Sequence, residues 1–352
     1  MTFYNNKFYK KDLENTLDNI VDVNKLFHKK ILITGATGLI GSTLVESLLK
    51  LNELENAAIE IFALGRSKER LEQRFSTNLK NIHFIVQDVS NPINSDITVD
   101  IVIHAASNAN PKAYSDDPIG TIKGNVHATL NLLDYCKQKS VEQFIFISSG
   151  EVYGELPREK VPFTEEMAGY INSLEVRSCY MLSKKMSENI CISYSHQYGL
   201  ITKIVRLSHV FGANYTSKDT RASASFFVEA LEGNDIILRS LGNHLRSYVY
   251  ISDAASGILS VVTVGEPMEA YNVTNTSNTV TLADFAKTIG QSAGVSVRFD
   301  ISESVDPASV TPISFAVLSD EKLRLKNWQP QITVKTGIER IIDILREEEK
   351  KL

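Results

Sequence analysis

A glycine-rich segment near the start of the chain constrains the fold more than any other feature of the sequence. Residues 35–41 read Gly-Ala-Thr-Gly-Leu-Ile-Gly, follow the short apolar run 31–33 and open a helical stretch over 39–51. Glycines let a backbone approach a pyrophosphate, and the first turn of a helix offers unpaired N–H groups to an anion. The sequence therefore predicts a strand–loop–helix unit that binds a dinucleotide. The residues predicted to contact it here are Gly35, Thr37, Gly38, Leu39, Ile40 and Gly41.

Short apolar runs alternate with helical stretches through the first part of the chain, a pattern typical of buried parallel strands joined by helices. The predicted strands occupy residues 59–64, 82–86, 101–103, 144–147 and 201–207. The predicted helices occupy residues 119–138, 178–198, 281–293 and 336–350. The pattern loosens after residue 210, which favours an α/β fold: a Rossmann-type doubly wound parallel sheet with a smaller C-terminal substrate-binding lobe.

This organisation predicts three parts of the chain. They are an N-terminal helical arm over 1–28, an NAD(P)-binding domain over 29–210, and a mainly substrate-binding lobe over 211–352, with some of its chain returning to the large sheet. The arm is expected to pack on the domain or on a neighbouring subunit, as amphipathic helices ordinarily do.

Composition excludes several classes of function. The formal net charge of -5 gives no basic footprint for nucleic acid, so a phosphorylated ligand needs locally placed cations. No apolar segment has the length of a membrane span, and no secretory signal is expected. The three scattered cysteines are typical of reduced thiols and not of a disulfide framework or a metal site, so we expect a cytoplasmic protein without a metal.

The choice between NAD and NADP is less constrained. NAD sites usually place an acidic residue after the second strand, where it holds the ribose 2′-hydroxyl. Here residues 63–67 read Ala-Leu-Gly-Arg-Ser, so Arg66 and Ser67 could hold a 2′-phosphate, or Arg66 could be a solvated loop residue. We expect NAD, with NADP as the alternative. The remaining predicted cofactor contacts are Asp88 and Val89 after the third strand, Ala105, Ala106 and Ser107 after the fourth, and Asn125 and Ser148.

A tyrosine and a lysine on one helix are the candidate catalytic pair. Tyr180 and Lys184 are four residues apart, so they lie on one helical face. A nearby ammonium favours the phenolate, which can then act as a base near neutral pH. Ser149, at the end of the predicted fifth strand, could hydrogen-bond the substrate oxygen that loses its proton.

In chain order, the glycine loop, His104-Ala-Ala, Ser149 before Val152-Tyr-Gly154, and Tyr180 with Lys184 resemble the extended short-chain dehydrogenases/reductases, the NAD-dependent epimerase/dehydratase family. The resemblance runs from about residue 29 to 345. One branch is similar in more detail, that of the UDP-glucuronate decarboxylases and nucleotide-sugar 4,6-dehydratases. The segments that resemble this branch are 106–114, 118–125, 129–133, 177–180 and 219–221, and the segment 325–330 resembles the closing motif of the whole family.

The resemblance implies a reaction on a nucleotide-sugar, expected to be UDP-linked. It implies that the sugar is transiently oxidised at carbon 4 with Tyr180 as the base, then decarboxylated or dehydrated, and that the hydride returns to the product. It also implies a carboxylate, Glu151, acting as acid or base near carbon 5, and a homodimer formed through the helices 119–138 and 178–198. The residues expected to bind substrate are Tyr114, Lys123, His209, Arg221 and Arg246.

The sequence departs from this branch at two positions. Gly150 stands where the decarboxylases carry a hydroxyl residue and the dehydratases an aspartate, which weakens dehydration because expulsion of hydroxide needs a proton. His209 replaces the family's asparagine and could contact a phosphate or the sugar, or be a structural residue. A 4-epimerase, a net sugar dehydrogenase and a catalytically silent NAD(P)-binding protein remain as alternatives.

Overall fold

The computed structural model describes residues 3–75, 80–93, 96–107, 109, 111–215, 221–301 and 313–350. Asn108, Asn110 and Asp219, which belong to the segments that resemble the decarboxylase branch, lie outside these residues. The strands are β1 (Lys30–Thr34), β2 (Glu60–Gly65), β3 (Ile82–Val86), β4 (Ile101–His104), β5 (Gln143–Ser149), β6 (Ile201–Leu207), β7 (His209–Phe211), β8 (Ile236–Leu238), β9 (Leu245–Tyr250), β10 (Ala270–Val273), β11 (Thr279–Thr281), β12 (Val297–Phe299) and β13 (Phe315–Ala316).

The predicted helices are present, with boundaries within two residues at their N-termini. The helices are α1 (Lys7–Asp18), α2 (Leu39–Glu55), α3 (Lys68–Arg74), α4 (Pro111–Asp116), α5 (Pro118–Lys139), α6 (Cys179–Tyr198), α7 (Ala222–Leu231), α8 (Ile251–Val264), α9 (Leu282–Ala293), α10 (Glu321–Arg324) and α11 (Val334–Glu349). Among the described residues, no helix has the length and apolar character that crossing a membrane requires.

The large sheet has the order β10-β6-β5-β4-β1-β2-β3 within the described chain, and its pairs are parallel. The predicted doubly wound parallel sheet is therefore confirmed. The strand order reverses between β1 and β4, and the loops that leave these two strands open a crevice at their carboxyl ends. Strand β10, from the C-terminal half of the chain, completes the sheet beside β6.

Smaller sheets are built from strands that follow β6 in the chain, on both sides of β10. Strand β9 pairs with β7, β11 and β13, and β8 pairs with β12. Strand β9 carries Arg246, and β7 carries His209, which is opposite Tyr248 in their parallel register. These strands bring two of the predicted substrate residues to one place.

The N-terminal arm packs on the body of the same chain. Asp12 of α1 accepts hydrogen bonds from the Tyr250 hydroxyl (2.5 Å) and from Arg340 Nη1 of α11 (2.7 Å). Tyr9 donates to Glu46 Oε2 of α2 at 2.6 Å. Helix α1 therefore joins the helix that follows the glycine loop to the strand that carries Arg246 and to the last helix of the chain.

Candidate active site

The glycine loop has a geometry that only residues without side chains permit. Gly35 has φ +66°, and a Cβ built on it would lie 2.8 Å from Ala106 Cα. A Cβ on Gly41 would lie 2.3 Å from the Gly35 carbonyl oxygen. Gly38 is the N-cap residue of α2, and it has no side chain that could accept a hydrogen bond from the first N–H groups of the helix. The loop from β1 thus packs against the loop from β4 and leaves the start of α2 for an anion, which fits a dinucleotide diphosphate.

The β4 loop is fixed by its own hydrogen bonds. The Ala106 N–H donates to Thr34 Oγ1 (3.1 Å), which also contacts His104 Nδ1 (2.8 Å). Ser107 Oγ donates to Asn125 Oδ1 at 2.8 Å, and Asn125 Nδ2 donates to Ser183 Oγ at 2.9 Å. Asn125 is fully buried. It therefore joins the β4 loop to α6. The contact with the cofactor that the sequence predicted for Asn125 stays a prediction.

The residues after β2 and β3 form the far end of the predicted cofactor site. Arg66 is exposed, and Ser67 caps α3 by accepting a hydrogen bond from the Arg70 N–H at 3.3 Å. Asp88 Oδ1 accepts from the N–H of Ser90 (2.9 Å) and so shapes its own turn. Val89 is buried in the hydrophobic core.

Helix α6 carries the candidate catalytic pair into the crevice. Tyr180 lies in its first turn and Lys184 one turn later, and both are buried. Lys184 Nζ donates to the Ile147 carbonyl at 2.7 Å and lies 6.0 Å from the centre of the Tyr180 ring. Burial lowers the pKa of Lys184 to about 7, against an opposing effect of Glu188. The hydroxyl of Ser149, at the end of β5, caps the following turn by accepting from the Glu151 N–H (3.2 Å).

Tyr180 is enclosed by a stack of charged and aromatic groups. The Tyr114 ring stacks on the Tyr180 ring with centroids 4.6 Å apart at 21°, and the Arg177 guanidinium lies 4.6 Å from the centre of Tyr114. Burial, together with the Glu151 carboxylate, raises the pKa of Tyr180 to about 12, while Ser149, Arg177 and Tyr114 lower it. In the protein without ligands, burial therefore outweighs the neighbouring cations, which the spacing of Tyr180 and Lys184 alone did not reveal.

Glu151 is held by an arginine that sequence reasoning did not assign to the site. Arg177 Nη2 donates to Glu151 Oε1 at 2.9 Å. The second carboxylate oxygen of Glu151, and the Nε and Nη1 atoms of Arg177, are buried and have no hydrogen-bond partner among the described residues. Arg177 precedes Tyr180 in a segment that resembled the decarboxylase branch, and this was the signal that pointed to it. The pair offers an acceptor and donors to a polar ligand at one place.

A cavity of about 1270 Å³ extends from the glycine loop to the C-terminal strands. It exceeds the range of about 300–1,000 Å³ typical of a site for one small ligand, so it has room for two. Its lining includes Lys112, Arg177, Lys184, Arg221, Arg239 and Arg246 as basic residues, and Asp116 and Glu151 as acidic ones. Six basic residues against two acidic ones make the cavity locally suited to anions, although the chain as a whole is acidic.

Arg246 is one of the buried cations of this lining. It is 7% exposed, and its Nη2 contacts His244 Nδ1 at 3.1 Å. Burial lowers its pKa from the ordinary value, as does Arg177. Burial and the charges of Arg246 and Arg221 also hold the pKa of His209 well below its usual value, so the imidazole is neutral. The Nδ1 atom of His209 is buried without a partner.

The structure brings most, but not all, of the predicted site residues to this cavity. Those that line it are Ile40, Ala105, Ser107, Tyr114, Ser148, Ser149, Glu151, Tyr180, Lys184, His209, Arg221 and Arg246. Lys123 is exposed on α5 and does not line it, and neither do Arg66, Asp88, Val89 and Asn125. The substrate role that the resemblance implied for Lys123 stays a prediction.

The departure at Gly150 has a steric counterpart. A Cβ on Gly150 would lie 3.0 Å from Leu318 Cδ1 and 3.4 Å from the Leu207 carbonyl oxygen. An apolar side chain thus occupies the space beside the position where dehydratases carry an acid. Gly150 itself has no side chain that could donate a proton at this position.

Residues 31–274 match the model of the NAD dependent epimerase/dehydratase family. The chain belongs to this family. The resemblance predicted from the glycine loop, Tyr180 and Lys184 is confirmed. The chain is 30% identical over 324 residues to UDP-glucuronic acid decarboxylase 1 of Xenopus tropicalis. The aligned region covers 91% of this chain and 73% of that protein. It is 29% identical over 311 residues to UDP-glucuronic acid decarboxylase 6 of Arabidopsis thaliana, covering 88% and 86%.

Solved structures share the fold. A dTDP-glucose 4,6-dehydratase of Bacillus anthracis in complex with NAD superposes with a TM-score of 0.76 at 21% identity, over 92% of this chain and 98% of that one. A UDP-glucose 4-epimerase of Thermus thermophilus in complex with NAD has a TM-score of 0.73 at 25% identity, over 90% and 99%. The part of this chain that the structure describes contains no group of side chains suited to hold a metal ion.

Proposed function

We propose that this protein is an NAD-dependent enzyme that oxidises the sugar of a UDP-linked hexuronate at carbon 4, decarboxylates it and reduces the product. The observation that carries the proposal is one cavity in which Tyr180, Lys184 and Ser149 face the Glu151–Arg177 pair across a lining rich in arginine. The curated relatives named UDP-glucuronic acid decarboxylase support it. Within this proposal, residues 29–210 hold the dinucleotide and most of the later chain holds the substrate.

Each residue at the reacting carbon has a task that its position supports. Ser149 hydrogen-bonds the carbon 4 hydroxyl, and Tyr180 takes the proton of that hydroxyl as the base. Lys184 supplies a positive charge one helical turn away, which stabilises the phenolate. The dinucleotide, when bound along the glycine loop, supplies a hydride acceptor and then a hydride donor. Because the hydride returns, turnover needs no added cofactor once the site is filled.

The surroundings of Glu151 favour decarboxylation over dehydration. Loss of hydroxide needs a proton donor, and Gly150 with Leu318 beside it provides none. Loss of carbon dioxide from a 4-keto acid leaves an enolate that needs a proton only afterwards. Arg177 offers unpartnered donors that suit the departing carboxylate, and Glu151 keeps an unpartnered oxygen near it. We expect Glu151→Gln to slow exchange of the carbon 5 hydrogen with solvent while still permitting hydride transfer, as followed by mass spectrometry.

Incubation of the purified protein with a panel of nucleotide-sugars tests the function. The expected result is release of carbon dioxide and a UDP-pentose from the hexuronate without added cofactor. A product of unchanged mass with an inverted carbon 4 would make the protein a 4-epimerase, as in the Thermus neighbour. Net formation of reduced dinucleotide would make it a dehydrogenase. Absence of any product with bound dinucleotide would leave the silent binding protein.

Substitution of the base tests the mechanism. Tyr180→Phe is expected to lower kcat by about a thousandfold or more, within the range that general-base and electrostatic contributions reach together, and to leave dinucleotide binding intact. Tyr194→Phe is the matched control, because Tyr194 lies on the same helix and its hydroxyl contacts Asp134 at 2.7 Å, away from the cavity. Undiminished turnover by Tyr180→Phe would remove the tyrosine from the mechanism.

The dinucleotide is proposed to be NAD, as in the two NAD-bound neighbours. Arg66 and Ser67 are the candidates for a 2′-phosphate contact that the sequence named after β2, and the exposure of Arg66 leaves it available. Release and identification of any co-purified dinucleotide separates the two cofactors. If Arg66→Ala weakens binding of NADP and not of NAD, the protein uses NADP.

We also propose a homodimer formed through α5 and α6. These helices pack on each other and expose Ile119 (59%) and Met186 (54%). Analytical ultracentrifugation of the wild type and of Met186→Glu tests this. A monomer in both would contradict it.

A further inference from the structure

A buried carboxylate lies one helical turn beyond Lys184. Glu188 of α6 accepts hydrogen bonds from Ser148 Oγ (2.6 Å), Arg206 Nε (3.0 Å) and Arg206 Nη2 (2.8 Å). Its side chain is 9% exposed and that of Arg206 14%. The contact to Arg206 is a bidentate, charge-assisted pair, the strongest common form of such an interaction.

The three partners meet because of the register of the sheet. Ser148 and Arg206 are directly opposite in the parallel pair β5–β6, at the carboxyl ends of both strands. Arg206 is itself held in place, since Nη1 donates to the Glu165 carbonyl (2.8 Å) and the guanidinium lies 4.9 Å from the centre of the Tyr153 ring. Glu188 therefore fastens α6 to two adjacent strand ends.

The same strand end holds Lys184. Its Nζ donates to the carbonyl of Ile147, the residue before Ser148. Lys184 and Glu188 are thus bound to successive residues of β5 and are spaced one turn apart on α6. Any shift of α6 along the sheet would break both contacts together, so the placement of Lys184, and of Tyr180 on the same helix, at the end of β5 depends on the bridge at Glu188.

Burial lowers the pKa of Lys184, and the negative charge of Glu188 acts in the opposite direction. The other titratable groups around this ammonium are neutral near pH 7: the pKa of His104 on β4 is lowered to about 3, and burial raises that of the Cys191 thiol on α6 well above its usual value. The pKa of Tyr180 is about 12. Glu188 raises the pKa of Lys184, and Arg206 on β6 carries the counter-charge of Glu188.

We propose that Glu188 is a positioning residue, which fastens α6 to the ends of β5 and β6 through Ser148 and Arg206 and keeps Lys184 in place and charged next to Tyr180. The proposal rests on the proposed function only in that Lys184 serves the reaction in its charged form. The contacts themselves belong to the ligand-free protein.

The test is the titration of Lys184 in the wild type and in Glu188→Gln, which keeps the size of the side chain and removes its charge. The ε-carbon resonance of labelled lysine is followed by NMR and assigned with Lys184→Arg. The midpoint is expected to fall by about one pH unit in Glu188→Gln, the lower end of the effect of one nearby opposite charge. The basic limb of kcat/KM is expected to move by the same amount, which is about a tenfold loss at about pH 8 with little change in KM.

Two further variants separate charge from general damage. Glu188→Asp keeps the carboxylate and is expected to recover most of the basic limb. Glu188→Met, which also removes the charge, takes the place of Glu188→Gln if that variant does not fold. Asp253→Asn alters a buried carboxylate on α8 that accepts from the N–H groups of Gln331 and Ile332. It is expected to lower stability without moving the limb.

An unchanged midpoint in Glu188→Gln would overturn the proposal, as would a shift of equal size in Glu188→Asp or Asp253→Asn. Failure of the proposed function would give a different result. The wild type would then show no turnover, and the NMR midpoints of the wild type and Glu188→Gln would still test the role of Glu188.

Discussion

Removal of one partner from a fully buried ion pair is the perturbation whose size follows most directly from the structure. Arg74 Nη2 donates to Glu46 Oε2 at 2.6 Å, and the Glu46 side chain is 0% exposed. Arg74→Met would leave this carboxylate buried with Tyr9 as its remaining donor. Such a loss costs about 3–5 kcal/mol. An unfolding entropy of about 2.1 cal/mol/K per residue gives about 0.74 kcal/mol/K for 352 residues, so we expect Tm to fall by about 4–7 °C.

Calorimetry and urea titration check this value, and pH gives it a second signature. Burial raises the pKa of Glu46 above that of the unfolded chain, so the folded state holds an extra proton and loses stability as the pH rises through the folded pKa. Without Arg74 that loss becomes larger. Glu46→Gln in the Arg74→Met background removes the charge, keeps an oxygen for Tyr9 and should recover more than half of the loss.

A surface pair supplies the comparison. Lys29 and Glu142 are 2.7 Å apart, with side chains 30% and 48% exposed. Lys29→Met is expected to cost about 1 kcal/mol or less. An equal loss in Arg74→Met and Lys29→Met, or no recovery in the double variant, would refute the reasoning from burial.

Three other predictions concern the loop, the cavity and the arm. Gly41→Ala should weaken binding of the dinucleotide at least about tenfold in a fluorescence titration, since the new Cβ would lie 2.3 Å from a carbonyl oxygen of the glycine loop. Arg246→Met should raise the Tm of the ligand-free protein and abolish the rise that UDP produces, because a buried cation without a carboxylate partner is replaced by an apolar chain. Burial raises the pKa of Asp12 from 3.8 to about 6. The protonated carboxyl therefore stabilises the fold at low pH, and this stability is lost as the pH rises through about 6. In Asp12→Asn, the Tm should change less with pH between about 4 and 6 than it does in the wild type.

The elements that the sequence predicted are those defined by local pattern. The strands 82–86 and 201–207 lie where the apolar runs placed them. Strand β6 is mostly buried, as such a run predicts for a parallel sheet, whereas β3 is an edge strand and is partly exposed. The glycine loop was equally readable, since positive φ at Gly35 and the close approach at Gly41 exclude side chains. Tyr180 and Lys184 followed from helical spacing.

The contacts that complete the site join distant parts of the chain, and no local pattern encodes them. Glu151 and Arg177 are 26 residues apart, and the two partners of Asp12 are 238 and 328 residues away. Asn125 is a further example of a residue that joins distant parts of the chain. Its amide joins Ser107 to Ser183, which its place in the sequence did not predict.

The net charge of the sequence and the local charge of the cavity differ in sign. Because the net charge is -5, an anionic ligand needs cations that lie close to it. In the folded chain such cations line the cavity from α4, from the segment before α6, from the start of α7 and from β9. Arg177 has a carboxylate to neutralise it, whereas Arg246 has a contact to the neutral His244. A buried guanidinium in that state lowers stability until an anion reaches it. Binding of an anion at Arg246 is therefore expected to offset the free energy that burial of this guanidinium costs the fold.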